Sequence, residues 1–362
     1  MQPKQMFRPV HIMYIMPLVL SLTASCVHKS DSAIVLDTFK QVESIAPSDS
    51  ISLDPFGIYM PQDVIPYKGW YVIRKYGNDN WIDIINTGTG EKIECFRRGR
   101  GPGEILNISP LQLYDDLLYV FDVNSQIYYA LDMENTIKEK RQVLSDSWSL
   151  RSGKEAEDYF DEPFFLTRFS GGILATGMFR DGSWYGLLDK NGKIKSGIPL
   201  IEFKSTKNLT DTELSAFQLS SLISVKPDGS QGICAQVFCG AFSIFDIESD
   251  GLSEKIRQIY YDPKFHPSDG TMISPRHDRE NVEAFYGAKS TDDYIFLLYS
   301  GKAIADSSDP IYECRNLLVY DWNGNPVRRY ELKNSISSIF ISGDTIYGVT
   351  SVPNGAIYAY SL

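Results

Sequence analysis

Histidine and cysteine, the side chains on which much metal and nucleophile chemistry rests, are scarce here: 4 and 5 of 362 residues. Beyond the first 25 residues the histidines are His28, His266 and His277, so a histidine ligand set drawn from several parts of the chain is excluded. Cys95, Cys234, Cys239 and Cys314 show no CxxC spacing, which argues against a zinc site or a redox pair. Cys234 and Cys239 would face opposite sides of one continuous strand and meet only across a turn; buried free thiols are the expected state. No GxSxG or HExxH segment occurs. Nor is there a basic excess. Lys and Arg number 35 against 46 Asp and Glu, which denies nucleic acid the positive footprint it needs.

The one apolar run near the start, Ile12–Leu22, is too short to span a bilayer and follows Lys4 and Arg8, as in an export signal. Leu22-Thr23-Ala24-Ser25-Cys26 then resembles a bacterial lipobox, whose cysteine becomes lipidated and first in the mature chain, although Thr23 stands where a branched apolar residue is usual. The expectation is a signal peptide over 1–25, lipidation at Cys26 and a solvated tether over 26–33. Loss of residues 1–25 leaves 33 basic and 46 acidic side chains, a formal −13, which suits a soluble domain held at a membrane by lipid.

What the chain does have is strand-forming aromatics, with Tyr 22 and Phe 19, and a repeat. A short turn followed by an apolar strand occurs six times, at the markers Gly69, Asp116, Gly172, Gly229, Asp293 and Asp344, in steps of 47, 56, 57, 64 and 51. Downstream of each lies a second apolar-to-turn boundary, such as Ile84-Ile85-Asn86, Phe245-Asp246 or Tyr320-Asp321. Adding a strand before and after gives four antiparallel strands per repeat. The fold class that follows is all-β, a six-bladed β-propeller over 34–362, where two β-sandwiches would lack a regular repeat. An open ring would leave a bare edge, so an N-terminal strand should close it, with Ile34-Val35-Leu36 or a nearby segment as candidate. Thr210-Asp211-Thr212-Glu213 reads as a helix start, predicting a short helix over Asp211–Ser221.

Phe96–Ile105, FRRGRGPGEI, resembles the Gly-Pro-Gly-Glu loop of TolB-like six-bladed β-propeller lipoproteins of Bacteroidetes. So do Glu280–Phe285, Tyr294–Lys302 and the C-terminal YDWNGNP and TIYGVTSV. The resemblance implies the fold, a lipid anchor and an outer-membrane or surface address, on the periplasmic or the outer side. It implies no catalytic residues.

Propeller connections alternate between two rims. Turns between first and second strands, and between third and fourth, are short here: KG, DD, GG, DG, DD and GD, then NTGTG, MENT, KNG, ESDG and WNGN. The insertions Arg97–Asn107, Leu144–Glu162, Phe203–Ser221, Asp262–Asn281 and Gly301–Ile311 all belong to the other rim. Long loops on a rigid scaffold usually carry recognition. Candidate binding residues are therefore Arg97, Arg98, Arg100 and Glu104, beside glycines that permit close approach, and His266, Arg276, His277 and Arg279, with Asp306 and Asp309 near the latter group. The competing reading of the first group is that Arg98 or Arg100 pairs with Glu104 to brace a tight turn. Asp115-Asp116 and Asp292-Asp293 occupy the short-turn rim and read as turn residues.

The expected function is non-catalytic binding of a small molecule, a glycan fragment or an envelope protein, without a cofactor. The alternative is a metal-dependent lactonase- or lyase-like propeller, for which calcium held by Asp, Glu and Asn oxygens is the metal compatible with this composition.

Overall fold

Six short turns and the apolar strands that follow them set the architecture. The computed structural model describes residues 31–362 apart from 78, 102, 152–161, 190, 267–275 and 307–309. The expected signal peptide, Cys26, His28 and Asp309 therefore lie outside the described residues. Blades 1 to 4 are four-stranded antiparallel sheets, each from one contiguous stretch. Their innermost strands are Pro61–Tyr67, Gln112–Tyr114, Glu162–Phe169 and Ser221–Val225, and those of blades 5 and 6 are Val282–Ser290 and Phe340–Ser342.

Ring closure is N-terminal, as expected, but through a different segment. Asp49–Ser52 pairs antiparallel with Ala356–Ser361 and supplies the outer strand of blade 6. Val42–Ile45 adds a fifth, parallel strand to blade 5 along Arg329–Leu332. Ile34-Val35-Leu36 instead ends the helix Asp31–Leu36, whose Val35 is fully buried. The outer strand of a blade faces water, so Asp49-Ser50-Ile51-Ser52 needs only one apolar residue. A search for apolar runs passes over it.

Two further expectations change. Leu144–Ser149 is the fourth strand of blade 2 and pairs with Ile127–Asp132, so that insertion contracts to residues 150–161. The MENT turn opens into the helix Met133–Glu139, capped where the Asp132 carboxylate accepts from the Asn135 N–H at 2.9 Å. The expected helix at Asp211 is present as Asp211–Gln218. All five insertions lie at one rim, as they join second to third strands or one blade to the next.

The core sits between blades rather than within one. Five buried apolar clusters cover the six junctions; the largest runs from Phe169 and Trp184 through Phe242 to Tyr299 and Tyr320. Cys95, Cys234, Cys239 and Cys314 are free and buried in these layers, and burial pushes the Cys95 thiol up to about 12.

Candidate functional site

The long-loop rim holds the residues singled out in the sequence, in two groups that do not meet. The Arg97–Glu104 loop joins blades 1 and 2, whereas His266, Arg276, His277 and Arg279 lie in the connection between blades 4 and 5, across the ring.

In the first group much of the bonding is internal. Arg98 stacks over Trp81 at 4.2 Å and Tyr76 at 4.7 Å from the ring centroids. Its N–H donates to the Asp79 carbonyl at 2.7 Å, and the Trp81 indole donates to the Ile105 carbonyl at 2.9 Å. The carboxylate of Glu104 accepts from the Gly101 N–H at 2.8 Å and pairs with Arg97 at 3.4 Å, not with Arg98 or Arg100. A Cβ at Gly99 would stand 1.9 Å from a Glu104 oxygen, so a side chain there would displace that carboxylate. Arg97, 76% exposed, and Arg100 remain open to solvent.

In the second group, Phe265–His266 and Arg276–His277 form a two-stranded ribbon. The His277 ring packs against Phe217, Phe238 and Phe265 at 5.2, 4.8 and 6.0 Å, and burial lowers its pKa below the usual value. His266 Nε2 lies 3.2 Å from Asp278 Oδ2. Arg279 is exposed, and its carbonyl accepts from Ala305 N–H at 2.7 Å.

The larger concavity is on the ring axis. A channel of about 680 Å³ is lined by the inner strands of all six blades, from Met60 and Tyr312 at the long-loop rim to Pro227 and Ser290 at the other. Inner strands are stitched to one another across it. The Gln112 side chain donates to the Arg168 carbonyl at 2.5 Å and accepts from the Arg168 N–H at 2.6 Å, so an amide joins blades 2 and 3 as a strand would. Ser224 and Ser290 hydroxyls meet at 2.8 Å between blades 4 and 5.

The lining is apolar at Leu111, Phe165 and Phe238, with four cations, Arg74, Arg168, Lys226 and Lys289, and one acid, Asp63. That acid is already engaged: its Oδ2 pairs with Arg74 at 3.1 Å and accepts from the Leu111 N–H at 3.2 Å. Lys226 lies 3.7 Å from Asp228 and 5.7 Å from the Trp322 ring. The Arg168 guanidinium lies over Tyr119 at 5.3 Å, and its buried Nε has no hydrogen-bond partner. Lys289 makes no ion pair or side-chain hydrogen bond among the described residues. Desolvation lowers its pKa, against the weaker opposing pull of Asp63. An enclosed channel with four cations and one committed carboxylate is suited to an anion. Among the described residues no three His, Cys, Asp or Glu side chains cluster as metal ligands would.

Sequence reasoning missed the cations of this channel because they are isolated residues within strands, without spacing. The available signal was positional: Arg168 in FLTRF and Lys289 in YGAKS each sit in the strand just before a blade's first short turn, the strand that lines a propeller's axis.

The family model for TolB-like 6-blade propeller-like proteins matches residues 91–344. A search of the curated proteins found no match. Among solved structures, the calcium-binding protein regucalcin of Agrobacterium tumefaciens is similar with a TM-score of 0.49 at 13% identity, over 88% of this chain and 95% of that one. BamB of Moraxella catarrhalis gives 0.42 at 11%, over 87% and 97%.

Proposed function

This chain belongs to the TolB-like six-blade propeller family, and on that scaffold we propose that it is a lipid-anchored envelope protein that binds a small anionic molecule in its axial channel, without catalysis. The observation that carries the reading is Lys289, an unpaired ammonium inside a cavity of about 680 Å³, in the range of small-molecule sites, where cations outnumber acids by four to one. The apolar walls beside it suit a ligand with a carboxylate or phosphate at one end and hydrocarbon or a sugar ring at the other. The anchor rests on the Leu22–Cys26 segment and its preceding apolar run.

Titration calorimetry with glucuronate, benzoate and inorganic phosphate tests the channel. Binding by any of them should weaken by about tenfold or more in Lys289→Met, the loss expected for removing one charged partner, and be unchanged in Arg100→Ala. The reverse pattern would move the site to the exposed arginines of the rim, the second reading, which the 76% exposure of Arg97 favours. Tight stoichiometric calcium binding in the same instrument would support the metal-dependent enzyme instead.

A further inference from the structure

The two rims differ in what they show to solvent. Of the large apolar side chains left exposed, Tyr59, Met60, Tyr76, Leu106, Tyr312 and Val352 lie in connections of the long-loop rim, with Tyr59 62% exposed, against Leu144, Tyr294 and Leu362 beside the short turns of the opposite rim. The opposite rim is predominantly acidic, with Asp115, Asp116, Asp228, Asp292, Asp293 and Asp344 exposed in its short turns, of which Asp116 and Asp228 pair with Lys68 and Lys226. The start of the described chain lies at the apolar rim. Ser32 packs against Gly301, where an added Cβ would stand 2.6 Å from its hydroxyl, near the long-loop end of its strand. From there the segment descends the groove between blades 4 and 5 to Phe39, which packs edge-on against Tyr320 at 5.1 Å.

We propose that the long-loop rim is the membrane-facing surface of this protein, with those aromatic and aliphatic side chains resting in the lipid interface and the acidic rim turned away. The inference rests on the lipid anchor of the proposed function. Cys26 precedes Asp31 by five residues, which span at most about 17 Å when fully extended. A lipid on Cys26 therefore holds this rim, and not the other, within reach of the bilayer. Tyr and other amphipathic side chains favour the headgroup boundary, and exposed Arg97 and Arg100 add attraction to anionic headgroups that would repel the carboxylates of the far rim.

The test uses full-length lipidated protein in vesicles of phosphatidylethanolamine and phosphatidylglycerol, with and without a doxyl-labelled lipid. Because the four described cysteines are buried, a polar maleimide dye reports a cysteine introduced at the surface. Dyes at Leu106→Cys and Tyr312→Cys should lose roughly half their emission to the doxyl lipid, as for groups seated in the headgroup layer. Dyes at Asp293→Cys and Asp344→Cys should be unaffected. Two positions per rim guard against one variant that misfolds. Equal quenching at both rims, quenching at the acidic rim, or none at either rim in protein that floats with vesicles and carries lipid by mass would overturn the proposal and leave the anchor standing; the last result would point to a protein partner on this face. Unmodified Cys26 and no flotation would overturn the anchor and the proposal together.

Discussion

Lys289 holds a charge inside the ring that, among the described residues, only the weak pull of Asp63 offsets against lost hydration, and that has a measurable sign. Burial lowers its pKa below 10.5, so the unfolded chain binds the proton more tightly than the folded one. Between the folded pKa and 10.5 stability rises with pH, and below the folded pKa the full cost is present. Ligand-free Lys289→Met should therefore melt above wild type at pH 7, with the gap closing as pH nears 10.5. A gap that stays constant would show that the substitution acts through packing instead. The same residue illustrates what a sequence conceals. Arg98 and Glu104 drew notice because glycines crowd around them, and the structure commits Arg98 to the rings of Trp81 and Tyr76 in blade 1 and Glu104 to a bond within its own loop. Lys289 and Arg168 gave no such signal, because side chains that converge from different blades are far apart in the chain.

Among elements, those with local punctuation were legible. The helix Asp211–Gln218 begins with a reciprocal cap, in which Thr210 Oγ1 accepts from the Glu213 N–H at 3.2 Å and Glu213 Oε2 accepts from the Thr210 N–H at 2.9 Å. Thr210→Ala should cost about 1 kcal/mol, read as a lower urea midpoint with an unchanged slope. Many second and third strands were legible too, since those buried on both faces read as apolar runs, such as Leu117–Asp122 and Ala241–Ile247. Two outer strands were not. Asp49–Ser52 and Leu144–Ser149 face water on one side and carry serine and aspartate, so their composition resembles that of a loop.

For the whole molecule, the blade count and the gathering of insertions at one rim followed from the spacing of turns. The cationic lining of the axial channel did not, because no single repeat contains it. Stability at this scale depends on the stitch made by residues 31–52, which cover Val35 and Phe39 against blades 4 and 5, extend blade 5 and complete blade 6. A chain beginning at Leu53 should lose the single cooperative calorimetric transition expected of the closed ring and aggregate through the bared edges of blades 5 and 6. A sharp transition at an unchanged temperature would show that closure contributes little.

That stitch also dictates when folding can finish. Ser48 bonds to Ala359, 311 positions later, so this segment waits for a partner that is far downstream in the chain. Blades 1 to 4 can each assemble from their own contiguous stretch, but the N-terminal strands stay unpaired until blades 5 and 6 are in place. The serine and aspartate of Asp49–Ser52 keep that idle edge soluble, which makes the plainness that hid it from sequence reading an asset during synthesis.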